Sequence, residues 1–255
     1  MFYNNINPTL LTLGPLEIKY YGIIYVLGFV IAYFLIYHLA KERKLNINKD
    51  DVADLIFYII IGTVVGARIF EVIVYNPVYY LSNPFEIIAV WHGGLSFHGG
   101  LMGAILAGYL YCKKKKIDFY EIADITVIPL AFGLFLGRIG NFLNGELIGR
   151  VSNLPWCVKF KNYEGCRHPS QLYESLKNLV IFSVLWFIQD KKLKKGVMFW
   201  SFILMYSTLR FFIEFVRAPD PQLGLLALGL TMGQWLNILM FIVGLYFFTR
   251  INRKR

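Results

Sequence analysis

The chain has 255 residues, of which 57% are hydrophobic, 17% aromatic and only 16% charged, and that excludes an ordinary soluble domain. The formal net charge of +10 needs no nucleic acid to explain it, because basic loops facing anionic lipid on the cytoplasmic leaflet are expected of a polytopic membrane protein. Residues 1–255 therefore read as one membrane domain, an all-α bundle whose helices each need about 20 apolar residues to cross.

Seven spans are predicted, at roughly 18–39, 52–74, 97–112, 120–141, 170–188, 196–217 and 231–249. Lys41, Arg43, Lys44 and Lys49 fall in the first loop, Lys113 to Lys116 in the third, Lys191, Lys192, Lys194 and Lys195 in the fifth, and Arg250, Arg253, Lys254 and Arg255 in the tail. The stretches 75–97 and 218–230 hold no Lys or Arg. The positive-inside rule then puts the N-terminus outside and the C-terminus in the cytoplasm, which an odd number of spans satisfies.

Met1 to Glu17 has no basic residue ahead of a short apolar core and so does not read as a removed signal peptide; with Pro8, Gly14 and Pro15 it suits a segment lying on the outer surface. Tyr20, Tyr21 and Tyr25 enter at the outer end of the first span, where an aromatic belt is normal. Tyr25, about two turns in, is deep enough for its hydroxyl to need a partner. In the second span Arg68 reaches the outer half, with Glu71 three residues on as its simplest ion-pair partner. The stretch after Asn76-Pro77 stays outside or dips in shallowly, since Phe85 to Val90 is too short to span. It leads to Trp91-His92-Gly93-Gly94-Leu95-Ser96-Phe97-His98-Gly99-Gly100. Two glycine pairs around Ser96 and His98 describe irregular backbone at membrane depth, tolerated only where it is buried in protein or lines a wet cavity.

The fourth span runs from Glu121 and Asp124 at the inner side to Gly137-Arg138-Ile139-Gly140-Asn141-Phe142-Leu143-Asn144-Gly145-Glu146-Leu147-Ile148-Gly149. A guanidinium, two amides and a carboxylate appear just where an apolar helix should be leaving the membrane. Arg138 and Asn141 share a helical face, and the glycines let another helix or a ligand come close. An anion suits such a site; a snorkelling arginine at a helix end is the plainer alternative. Residues 142–168 are the one sizeable exterior segment, expected to be a small β-rich or loop cap. Cys157 and Cys166 within it could be bonded in an oxidising exterior or remain thiols, and their spacing is no metal motif. Cys112, beside the inner lysines, is expected to be reduced. The cap ends in Arg167-His168-Pro169-Ser170-Gln171-Leu172-Tyr173-Glu174, with Pro169 near the first turn of the fifth helix. The sixth span carries Tyr206, Arg210 and Glu214 at steps of four, with Arg217 and Asp220 beyond. The seventh reads as packing.

Four of these stretches together resemble the bacterial prolipoprotein diacylglyceryl transferases: the Gly137 to Gly149 segment, Gly93 to Gly100 with His98, Arg167 to Glu174, and Arg210-Phe211-x-x-Glu214-Phe215 with Arg217 and Pro219-Asp220. The likeness covers nearly the whole chain, and four ordered motifs are far more specific than one short pattern. It implies a seven-helix enzyme of the plasma (inner) membrane, its site at outer-leaflet depth. The enzyme would move diacylglyceryl from phosphatidylglycerol to the lipobox cysteine of a preprolipoprotein signal peptide and release glycerol phosphate. Glu71 stands where relatives commonly have an aromatic residue.

That chemistry suits the residues. As a thiolate displaces phosphate from a glyceryl carbon, a phosphodiester with one negative charge becomes a monoester acquiring a second, and arginine, always protonated and forked for phosphate oxygens, stabilises the growth. Arg138 and Arg210 are the candidates. The substrate thiol, with pKa ~8.5, is mostly neutral at pH 7, so a base near ~6.5 is useful, and His98 is the candidate. Asn141 and Glu146 would orient the arginines or the headgroup, and Tyr25 would hydrogen-bond lipid or thiol. Arg68, Asn144, Tyr206, Glu214 and His168 complete the substrate-binding set, although His168 also fits a purely structural role at its helix start. Nothing in the spacing calls for a metal or another cofactor. The rival classes are a membrane transporter or channel, which should place polar residues at the midplane and often shows a two-fold repeat, and a different lipid-headgroup enzyme such as a phosphatase, which would need a nucleophile of its own.

Overall fold

A computed structural model describes residues 2–13, 16–219 and 224–253; Gly14, Pro15, Asp220, Lys254 and Arg255, drawn on above, lie outside them. Long helices form where the apolar runs predict them. Among the described residues seven have 17 residues or more: α1 (Tyr20–Glu42), α2 (Lys49–Phe70), α3 (Phe97–Lys115), α4 (Phe119–Asn144), α5 (Ser170–Ile188), α6 (Val197–Ile213) and α7 (Met232–Arg253). Four of them, α1, α2 with its extension to Tyr75, α4 and α7, are long and apolar enough to cross a membrane by length and composition, and α6 is a shorter apolar helix. The chain is mostly helical and is a multi-pass membrane protein.

Two compact units divide it, one of Met1–Leu35 with Asp124–Arg255, the other of Ile36–Ala123. In the second unit α2 starts with a capping box: Asn48 Oδ1 accepts from Asp51 N at 2.8 Å while Asp51 Oδ2 accepts from Asn48 N at 2.9 Å, satisfying two N–H groups that a helix start leaves without partners. α2 then packs along α3 backbone to backbone. A Cβ on Gly66 would lie 2.5 Å from Gly99 O and 2.7 Å from Gly103 Cα, so only glycine permits this approach, as in small-residue helix pairs in membranes. α2 ends in a π-helical turn, Glu71–Tyr75.

The first unit carries α4 to α7 and, among the described residues, five strands. β2 (Thr9–Leu13) and β3 (Leu16–Lys19) pair antiparallel and lead into α1. β1 (Phe2–Asn4) lies parallel to β4 (Val158–Phe160), which pairs antiparallel with β5 (Cys166–Arg167), in the order β1-β4-β5. Residues 142–168 are thus a small β-containing element, and the N-terminal segment contributes a strand to it. Asn4 Nδ2 donates to Phe142 O at 2.6 Å, and Ile148, Val158 and Phe160 form a core against Phe142. Cys157 and Cys166 are disulfide-bonded, and Cys112 is reduced and buried.

One carboxylate sets α6 in place. Asp124 of α4, buried, accepts from Gly196 N at 2.7 Å and from Phe199 N at 2.8 Å. The α6 N-terminus, whose preceding Gly196 has φ 87° and offers no side chain of its own, is capped by a neighbouring helix and gains the favourable charge–dipole contact of an anion there.

Candidate active site

In the first unit the Gly137 to Gly149 segment is held from three sides. Gly140 lies against α1, where a Cβ would come within 2.9 Å of the Tyr21 ring; helix approach is what this glycine serves. Beyond α4 the chain turns through Gly145 (φ 66°) and Leu147 (φ 54°). Ser170 Oγ donates to Leu147 O at 2.9 Å and Gln171 Nε2 to Glu146 O at 2.6 Å, so the first turn of α5 clamps the turn. Gly149 N donates to His168 O at 3.0 Å and Arg150 N to Val216 O at 2.9 Å, tying the same strand of chain to the start of α5 and the end of α6. A Cβ on Gly149 would strike His168 and the Val216 carbonyl.

This stitching brings side chains from α4, α5, α6 and the start of α7 into one buried ionic cluster centred on Glu174, which is 1% exposed. Arg138 Nη2 meets Glu174 Oε2 at 2.9 Å, Arg210 Nε lies 3.8 Å from the same oxygen, and Lys177 Nζ 3.9 Å from it. Arg210 also forms a close ion pair with Glu214 through Nη1, Arg217 Nη1 is 3.7 Å from Glu214 Oε1, and Thr231 Oγ1 donates to that oxygen at 3.0 Å. Arg138 Nη1 donates to Asn141 Oδ1 at 3.4 Å, Asn141 Nδ2 to Glu146 Oε1 at 2.7 Å, and Asn144 Nδ2 to the same oxygen at 3.4 Å. Lys177 Nζ stands 3.7 Å from the centroid of the buried Tyr206 ring, a cation–π contact. Four cations thus face two carboxylates in direct ion contact. Such a surplus, largely shielded from water and including three planar forks, suits an anion with two or more oxygens.

Arg138, Asn141, Asn144, Glu146, Tyr206, Arg210 and Glu214 come together as one network. Tyr25 is in the same unit, half-exposed, its hydroxyl accepting from Tyr21 OH at 2.8 Å. His168 faces the cap: its Nδ1 is 3.3 Å from Tyr173 OH, which accepts from Trp156 Nε1 at 2.8 Å. That supports the structural role for His168 over headgroup binding. Three members of the cluster were missing from the sequence reading. Glu174 lies in the motif read above without a role of its own, Lys177 follows it at the i,i+3 spacing that joins ion pairs on a helix, and Thr231 opens the span read as packing alone.

The second unit holds His98 and Arg68. His98, half-buried, sits in the first turn of α3 behind the N-cap Ser96, whose Oγ accepts from Gly99 N at 3.4 Å, with its ring edge-on to Phe97 at 5.5 Å. Arg68 departs from the expected pairing. Glu71 accepts from Asn76 Nδ2 at 2.8 Å, and the guanidinium instead donates to backbone carbonyls: Nε to Ile87 O at 3.0 Å, Nη1 to Gly93 O and to Gly94 O at 2.9 Å, Nη2 to Glu86 O and to Ala89 O at 3.0 Å. It stacks 4.9 Å from the Tyr80 ring centroid. Five N–H groups have five acceptors, so Arg68 braces the segment 86–94.

Residues 8–250 match the family model described as prolipoprotein diacylglyceryl transferase. Proteins named phosphatidylglycerol–prolipoprotein diacylglyceryl transferase are similar over full length. That of Geobacter sulfurreducens is 47% identical, covering 100% of this chain and 99% of its own; that of Bordetella avium is 45% identical, covering 97% and 96%; that of Rickettsia rickettsii is 42% identical, covering 100% of both.

Proposed function

Because the chain belongs to the prolipoprotein diacylglyceryl transferase family, we propose that it transfers diacylglyceryl from phosphatidylglycerol to the lipobox cysteine thiol of a preprolipoprotein signal peptide. The thiolate sulfur bonds to the glyceryl carbon and the carbon–oxygen bond to phosphate breaks. The bonding pair stays with the oxygen, so glycerol phosphate leaves with a second negative charge. The observation that carries this reading is the convergence of Arg138 and Arg210, from two helices, on one buried carboxylate oxygen. A phosphate beside that carboxylate would meet two guanidinium groups already held in place and largely shielded from water, so their attraction grows with its charge. Asn141, Asn144 and Glu146 fix the Arg138 side, Glu214 and Arg217 the Arg210 side. Tyr206 supports the cluster through Lys177, and Tyr25 offers a hydroxyl to lipid or thiol. In the other unit, His98 is the base that accepts the thiol proton.

In this reading all seven long helices cross the plasma membrane, with the N-terminus and residues 142–168 outside and the lysine-rich loops inside, as one domain. Incubating the purified protein with phosphatidylglycerol and a lipobox peptide tests the activity: a diacylglyceryl mass gain on the peptide cysteine is expected, and its absence with folded protein rejects the reading. Cysteine introduced at Lys115 in a background without other cysteines tests the orientation; labelling by an impermeant reagent in intact cells would overturn it.

A further inference from the structure

We propose that Glu174 is a positioning residue that competes with the lipid phosphate for Arg138 and Arg210, weakening the hold on released glycerol phosphate more than the hold on the lipid, and that Lys177 moderates this competition. The inference rests on the transferase reading above. Both arginines and the lysine address one atom, Glu174 Oε2, at 2.9, 3.8 and 3.9 Å. Only the Arg138 contact is at hydrogen-bond length; the other two act by charge. Glu174 and Lys177 are both buried, so water does not screen either from a phosphate gripped by the arginines.

A fixed carboxylate repels phosphate in proportion to the phosphate's charge. The lipid phosphodiester carries one negative charge and the product monoester two, so the repulsion doubles as the reaction completes. Without Glu174 the two arginines would hold the dianion more tightly and let product accumulate on the enzyme. Glu174 opposes that retention while its bond to Arg138 keeps the fork in place. Lys177, 3.9 Å from the same oxygen and pinned against the Tyr206 ring, neutralises part of the repulsion and keeps the lipid acceptable.

The test reads inhibition by added glycerol phosphate alongside KM for phosphatidylglycerol. Glu174→Gln keeps an oxygen for Arg138 and removes the charge. It should tighten the inhibition constant about tenfold and lower KM about threefold, the two logarithms standing in the two-to-one ratio of the charges. Single-turnover transfer should persist while steady-state kcat falls. Lys177→Met should move both constants the other way, and the double variant, which removes one charge of each sign, should return them towards wild type. A merely structural role predicts weaker binding in every variant. Weaker or unchanged inhibition of Glu174→Gln overturns the proposal; if that protein does not fold, the double variant binding glycerol phosphate no more tightly than Lys177→Met does so. A wild-type protein that transfers no diacylglyceryl would remove the transferase reading and this inference with it; transfer that glycerol phosphate inhibits in neither wild type nor Glu174→Gln would remove this inference alone.

Discussion

Removing the Asp124 carboxylate should loosen α6, and with it Arg210, from a point most of a helix away from the arginines. Asp124 is 3% exposed and accepts two backbone N–H bonds, from Gly196 at 2.7 Å and Phe199 at 2.8 Å. Asp124→Ala leaves both donors buried without that acceptor. At roughly 1–2 kcal/mol each, with about 1 kcal/mol for the lost anion at a helix N-terminus, the expected cost is about 3–5 kcal/mol. Asp124→Asn keeps one acceptor and turns an NH2 towards the second donor, so about half of that is expected. Thermal unfolding in one detergent should therefore rank wild type above Asn above Ala, with Ala lower by several degrees. Transfer activity below the transition should fall less than stability does, because the cap touches no reacting group. If Ala melts within a degree of wild type, the capping account fails. If Asn melts as low as Ala, charge rather than acceptor count governs the contact.

Arg138→Lys and Arg210→Lys should each lower kcat/KM by at least about tenfold, because an ammonium keeps the charge but not the fork; near-normal turnover by both would assign the arginines to structure. His98→Gln should lose most activity near pH 7 and recover partly towards pH ~8.5, where the substrate thiol ionises unaided. Equal pH–rate profiles for His98→Gln and wild type at saturating lipid would remove the base assignment. Replacing Cys157 and Cys166 with serine opens a crosslink of sequence separation 9 and should destabilise the cap by roughly 2–3 kcal/mol. Faster proteolysis within residues 142–168 is the measurement, and unchanged cleavage refutes it.

Hydropathy marked the helices well because an apolar run of membrane length has few other folds open to it. α2 begins at Lys49, three residues ahead of the predicted span, and α5 begins just after Pro169, which was expected near its first turn. The i,i+4 pair of Arg210 and Glu214 was legible for the same local reason. What stayed hidden depends on partners distant in sequence. Glu174 serves Arg138 and Arg210, each 36 residues away, and Asp124 caps a helix 72 residues on. Local spacing even misled at Arg68, whose nearest acid is Glu71 but whose acceptors are carbonyls 18 to 26 residues later. No side-chain pattern advertises a carbonyl. β1 was missed likewise, since it is completed only by β4, 156 residues further on.

The carbonyls gathered around Arg68 amount to a coordination sphere made of peptide in place of water, much as a crown ether wraps a cation. Their dipoles point inward at the ion while Phe85, Ile88 and Trp91 point outward, 89%, 71% and 73% exposed. A stretch with no long helix and no strand can then lie in an oily environment, because the backbone groups that would otherwise need water have an ion to bind. Its shape is therefore borrowed from α2.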